Sequence, residues 1–245
     1  MSRYHTVLLA LASGLGCLAA YSQASRSQAS RLATEPVTAI DIALEPDAAM
    51  IHHAEAVNAR LLKQFPKGFA LDATHHPHIS MLQRYVRTSD LDRVYAAAGK
   101  VLAGENVASW KLKAIKYYYI PWQEIGLAGI VVQPADDLVK LQQELIAAVA
   151  PFTVKTGTPA AYVTTPEDPD INEPTLDYVA EFVPNATGQH FNPHVTVGVA
   201  TQDYLKEMLA EPFSEFTFSP VGASVYQLGN FGTARKQLKS WELKH

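Results

Sequence analysis

The stretch PHISM, Pro77–Met81, returns as PHVTV at Pro193–Val197, a five-position pattern of proline, histidine, apolar, hydroxyl and apolar residues. Side chains two apart on a β-strand share a face. His78 and Ser80 therefore point one way, with Ile79 and Met81 turned into a core. His194 and Thr196 likewise share a face, opposite Val195 and Val197. Each copy presents one imidazole beside one hydroxyl. Two lobes related by an approximate two-fold would bring the two pairs into one cleft.

The segments around the repeat supply the rest of an α+β fold. VTAIDIALEP, Val37–Pro46, alternates as a strand with one wetter face bearing Ala39, Asp41 and Ala43. A helix is predicted over 47–64, stopped by Pro66-Lys67-Gly68, and a strand over 78–85. Thr88 or Ser89 caps a second helix that ends at Gly104. WKLKAIKYYYIP and GLAGIVVQP read as a strand pair. Residues 136–149 carry the helical stripe Leu138, Leu141, Leu145, Ile146 and Val149. TGTPAAYVTTPEDPDINEPT reads as a loop with little regular structure. Then come the second histidine strand over 194–200, a short helix TQDYLKEMLA, and two strands joined by a turn at Gly229–Gly232. These elements fall into two similar sets, one before about residue 115 and one after. The expectation is a bilobal α+β fold, with an antiparallel sheet and flanking helices in each pseudo-symmetric lobe around a central cleft.

Two imidazoles facing one cleft suit in-line displacement at phosphorus. One takes the proton of the attacking hydroxyl or water while the other protonates the leaving oxygen. Ser80 and Thr196 would donate hydrogen bonds to the non-bridging oxygens, where charge gathers in the transition state. The scheme requires no cofactor or metal. His75 and His76 could join His78 as zinc ligands, but residues 75 and 76 lie on opposite faces and no acid or cysteine stands nearby to complete a site.

On these residues the chain resembles the two-histidine (2H) phosphoesterases, which include RNA 2′,3′-cyclic phosphodiesterases and 2′-5′ RNA ligase-like proteins. Their signature is His-apolar-Ser/Thr-apolar written twice, about half a chain apart, matched here by HISM and HVTV. VYQLGNFGTARKQL resembles the family's last hairpin, and the resemblance covers roughly Val37 to Leu243. It implies a bilobal fold, metal-independent catalysis, and a 2′,3′-cyclic phosphate or 2′-5′ phosphodiester as substrate. It also implies that His78 and His194 are the acid/base pair, with Ser80 and Thr196 as phosphate binders. The competing readings are an exported binding protein with such a cleft and no turnover, and a zinc-dependent hydrolase. Two intact histidines argue against the first, since binding alone could dispense with either.

Composition bounds the remainder. The 245 residues are 48% hydrophobic and 18% charged, which suffices for one ample core or two packed lobes. A formal charge of −4 excludes a general nucleic-acid sleeve, leaving a small nucleotide or oligonucleotide phosphodiester as the expected partner and a monomer as the expected state. Residues 1–24 have a basic start at Arg3, an apolar run over 7–18 and small residues at Ser22 and Ala24. They read as an export signal cleaved after Ala24, followed by a loose lead-in over 25–36 and a catalytic domain over 37–245. A periplasmic or secreted protein with no transmembrane domain in its mature form is expected. Lipidation at Cys17 is the alternative; Gly14 and Leu15 fit a lipoprotein signal poorly. Within the KYYYIPW run and the cleft strands, Tyr117–Trp122, Gln83, Arg84, Tyr85 and Tyr226 are further cleft candidates outside the core assignment, and His190, His52 and His53 read as solvated.

Overall fold

Ile40, Ile42 and Leu44 on one side and Ala39, Asp41 and Ala43 on the other make Val37–Pro46 a strand (β1) that is buried on both faces. In the computed structural model, which describes residues 35–166 and 168–243, β1 is central, antiparallel to Ile79–Arg87 (β2) and to Pro220–Leu228 (β8). The face expected to be wetter is fully buried, because the rings of Tyr85 and Tyr226 from the flanking strands fill the space above its small residues. The expected signal segment and the lead-in up to residue 34 lie outside the described residues.

The remaining strands are Leu112–Trp122 (β3), Ile125–Val132 (β4), Thr153–Val154 (β5), His194–Thr201 (β6), Phe216–Phe218 (β7) and Ala234–Glu242 (β9). They form one antiparallel sheet of order β7-β3-β4-β6-β2-β1-β8-β9, with β5 added on β2, curled into a half-barrel. The fold is α+β with two antiparallel halves, β3, β4, β6, β7 on one side and β1, β2, β8, β9 on the other. These halves are not the first and second parts of the chain: the last hairpin crosses back to sit beside β1. The halves meet where Ile79 of β2 pairs with Val195 of β6, one residue after each repeat histidine.

Among the described residues five α-helices accompany the sheet: Ala48–Gln64 (α1), Leu91–Gly104 (α2), Asp136–Val149 (α3), Glu173–Asn185 (α4) and Gln202–Ala210 (α5). Asp47 caps α1 by accepting from the amides of Ala49 at 3.0 Å and Met50 at 3.4 Å. The stripe read on α3 is real: Leu138, Leu141, Leu145 and Val149 are fully buried. Truncating Leu145 to alanine would cost about 2–5 kcal/mol. Ile79, Met81, Val195 and Val197 enter the same core as these helices, which turns the intervening histidines and hydroxyls to the opposite face. Helix α4 was not expected. Its start, Asn172-Glu173-Pro174-Thr175, lies in the Pro- and Asp-rich stretch, yet Asn172 accepts from the Thr175 amide at 2.8 Å and Pro174 fits a first helical turn. Among the described residues no helix is long and apolar enough to cross a membrane.

Candidate active site

The prolines of the repeat have a structural use. A residue before proline is held extended, and its carbonyl here reaches the imidazole that follows. His78 Nδ1 lies 2.6 Å from the carbonyl oxygen of His76, and His194 Nδ1 lies 2.7 Å from that of Asn192. A carbonyl only accepts, so Nδ1 carries the hydrogen in both rings. The exchangeable position is therefore Nε2 in both. His78, Ser80, His194 and Thr196 all line one cleft. The fold brings together the four residues that the sequence singles out.

Their surroundings differ sharply. Asp41, fully buried on β1, aims Oδ2 at the first copy of the repeat. That oxygen accepts a short hydrogen bond from Ser80 Oγ and one from Gln83 Nε2 at 2.9 Å, and lies 3.4 Å from His78 Nε2. Burial opposes the charged form of His78, but the hydrogen bond and charge of Asp41, helped by the His76 carbonyl, outweigh it and raise its pKa above the ordinary 6.5. Among the described residues no carboxylate is within ion-pair distance of the second copy, although the more distant charge of Asp41 also favours the protonated form of His194. His194 instead meets the edge of the Tyr118 ring at 4.7 Å. Burial pushes its pKa down to about 4, against the pull of the Asn192 carbonyl and with added repulsion from His78. The two imidazoles are thus biased in opposite directions, His78 toward the imidazolium and His194 toward the free base.

Tyr118 reaches His194 because Gly129 stands opposite Thr196 on β4. A Cβ at Gly129 would lie 2.5 Å from the Tyr118 ring and 3.1 Å from the Val195 carbonyl oxygen. Farther out, Trp122 and Phe231 meet edge to face at 5.0 Å on one wall of the cleft, beside Ile120, Ile125 and Leu127. Tyr178 of α4 also lines the cleft, and it borders a neighbouring hollow lined by His190 and Asn192.

Other sequence candidates fall elsewhere. Arg84 donates to the Ala180 carbonyl at 3.1 Å and Tyr85 to the Leu176 carbonyl at 3.0 Å, so both brace α4. Tyr226 lies beneath His78, donating to Glu45 at 2.8 Å. Tyr117 packs on Phe213, and the exposed His53 stacks on Phe216. The three histidines of the opening cluster diverge: His75 stacks on Phe69 and His76 offers its carbonyl to His78. Contrary to the expectation of no acid nearby, Asp72 faces His75 and Asp41 faces His78, but the two acids serve different histidines and do not converge. Among the described residues no group of three or more His, Cys, Asp or Glu side chains is arranged to hold a metal ion. Sequence reasoning missed Asp41 and Tyr178 and left Gln83 uncommitted. The signal for Asp41 was a lone acid inside the apolar run AIDIAL, sharing a face with two alanines.

No family model and no curated protein matches the chain. Solved structures do. TT0787 of Thermus thermophilus aligns over 84% of this chain and 98% of its own at 14% identity, with a TM-score of 0.51. Escherichia coli LigT, solved with ATP and with 3′-AMP, aligns over 86% and 85% of this chain and 100% and 99% of its own, at 13% identity and TM-scores of 0.41 and 0.42. The likeness is one of architecture: at 14% identity the chain shares the fold of TT0787.

Proposed function

We propose that the chain is a phosphodiesterase that opens a nucleoside 2′,3′-cyclic phosphate or cleaves a related 2′-5′ diester by proton transfer between two histidines. The observation that carries this reading is the opposed protonation preference of two Nε2-presenting imidazoles in one cleft. His194 Nε2 takes a proton from water as its oxygen attacks phosphorus. The bond to the leaving ribose oxygen breaks, and that oxygen receives the proton of the His78 imidazolium. The Thr196 hydroxyl donates to a non-bridging oxygen. Trp122 and Phe231 offer aromatic surface on which a base can stack. Among the described lining residues there is no lysine or arginine. The net-neutral pair of His78 and Asp41 suits a singly charged diester better than a doubly charged monoester. Export to the periplasm or medium, read from residues 1–24, belongs to the same proposal.

The test is turnover of nucleoside 2′,3′-cyclic phosphates and short 2′-5′ oligonucleotides with a strong chelator present. His78→Ala and His194→Ala should each lower activity by about a hundred-fold or more while the fold is retained. Full activity in either variant, or activity lost to the chelator and restored by zinc, would overturn the proposal. Tight nucleotide binding with no turnover would favour the binding-protein reading.

A further inference from the structure

The repeat is symmetric in sequence and asymmetric in its partners, and the difference traces to one residue. Asp41 sits on β1 between Gln83 of β2 and Tyr226 of β8, with no exposed surface. Its Oδ2 gathers Ser80, Gln83 and His78, whereas its Oδ1 and the Oε1 of Gln83 are buried with no hydrogen-bond partner among the described residues. The cluster is thus short of donors, and a buried carboxylate needs a donor or a cation. The cation nearest this carboxylate is the imidazolium form of His78, whose Nε2 stands 3.4 Å from Oδ2.

We propose that Asp41 is the positioning residue of the first histidine motif, keeping the exchangeable proton on His78 and turning the Ser80 hydroxyl hydrogen away from the cleft. The inference rests on the acid/base reading of the site and assigns unlike tasks to its like halves. Ser80 has one hydroxyl hydrogen, and Asp41 takes it. Ser80 therefore cannot donate to a phosphate oxygen while that bond stands, and the phosphate-facing hydroxyl is Thr196. This departs from the equal roles that the repeat implies for Ser80 and Thr196.

The other charged or titrating groups that face His78 do not serve in its place. Glu45, also on β1, is engaged by Ser224 at 2.5 Å, Tyr226 at 2.8 Å and Gln237 at 3.2 Å. Tyr226 of β8 lies 6.0 Å from the His78 ring, centre to centre, with its hydroxyl turned to Glu45. His194 of β6 repels the imidazolium, and His76 contributes its carbonyl. Asp41, at 3.4 Å from Nε2, is the carboxylate whose charge favours the imidazolium, at a distance that leaves the Nε2 hydrogen free to turn to a substrate oxygen.

The experiment is histidine titration by long-range 1H–15N NMR on the full protein, which needs no substrate, paired with the pH profile of hydrolysis. Asp41→Asn keeps the shape and removes the charge. The His78 midpoint should fall by about one to three pH units, and the alkaline limb of activity should move with it. Asp41→Glu should restore part of the shift. Should Asp41→Asn fail to fold, Gln83→Leu removes a competing donor, and the His78 midpoint should rise. An unmoved His78 midpoint in the variant that folds overturns the inference. A moved midpoint in a protein that hydrolyses no phosphodiester sinks the functional proposal and leaves the role of Asp41 standing.

Discussion

Acidification is the perturbation for which the two halves of the site predict an unusual outcome. A general base must be neutral to act, so activity should rise as pH climbs through the pKa of His194, held to about 4. An ordinary imidazole with a pKa near 6.5 would be only about one-tenth neutral at about pH 5.5. His194, at about 4, would be about 97% neutral there, since each unit of separation is a factor of ten. At the other end, His78 must keep its proton. Its pKa is raised, so activity falls only as pH rises through a value above 6.5. The profile of kcat/KM should therefore be a broad plateau, from near pH 4 to beyond 6.5, in place of a narrow bell. The assay is hydrolysis of a cyclic nucleotide at constant ionic strength, with aliquots returned to neutral pH to separate titration from unfolding. The limbs belong to the coupled pair, so NMR titration of the single variants assigns them. An acid limb centred at about pH 6.5 or higher, fully reversible, would refute the view that burial keeps His194 ready as the base.

Four further outcomes follow from the geometry. Thr196→Val should lower kcat by roughly ten- to a thousand-fold, the usual loss for one oxyanion donor, with the pH limbs unmoved. Ser80→Ala should shift the alkaline limb instead, and identical behaviour of the two in a pH profile would disprove their division of labour. Trp122→Ala should raise KM for a nucleotide substrate by roughly five- to a hundred-fold, the equivalent of about 1–3 kcal/mol of base stacking, with kcat little altered; an unchanged KM would remove this wall from the binding surface. Gly129→Ala drives a Cβ into the Tyr118 ring, so it should cost about 1–3 kcal/mol by thermal or denaturant unfolding and raise the His194 midpoint as the ring withdraws.

The repeat and its faces were legible because strand periodicity is local: Ile79 and Val195 could be assigned to the core from their neighbours alone. Helix α3 was legible for the same reason, since Leu138, Leu141, Leu145 and Val149 repeat at helical spacing. Strand order was not, because it depends on which edges pair at a distance. The return of β8 and β9 to β1 rests on contacts such as Asp41 with Tyr226, far apart in the chain. Helix α4 was hidden by prolines and acids that read as loop, although Asn172 and Pro174 are sound helix-start residues. Asp41 was assigned a strand face but no task in the site. Its parity was right, but only the rings leaning over β1 from its neighbours turn that face from wet to dry.

The single rung between the halves, Ile79 to Val195, sets a lever. Each histidine stands one residue from it, about 3.4 Å along its strand, whereas Ile125, the partner of Trp122, is five residues from Ile130 on the rung's level, about 17 Å away. A relative rotation of about 10° centred on that rung would shift a histidine by about 0.6 Å and the Trp122 end of the cleft by about 3 Å, from those same strand spacings. The gap between the two histidines sits at the fulcrum and the Trp122 rim at the end of the arm. If the chain works as proposed, a rotation of this kind would fit the rim to substrates of different bulk while leaving the histidine spacing nearly fixed.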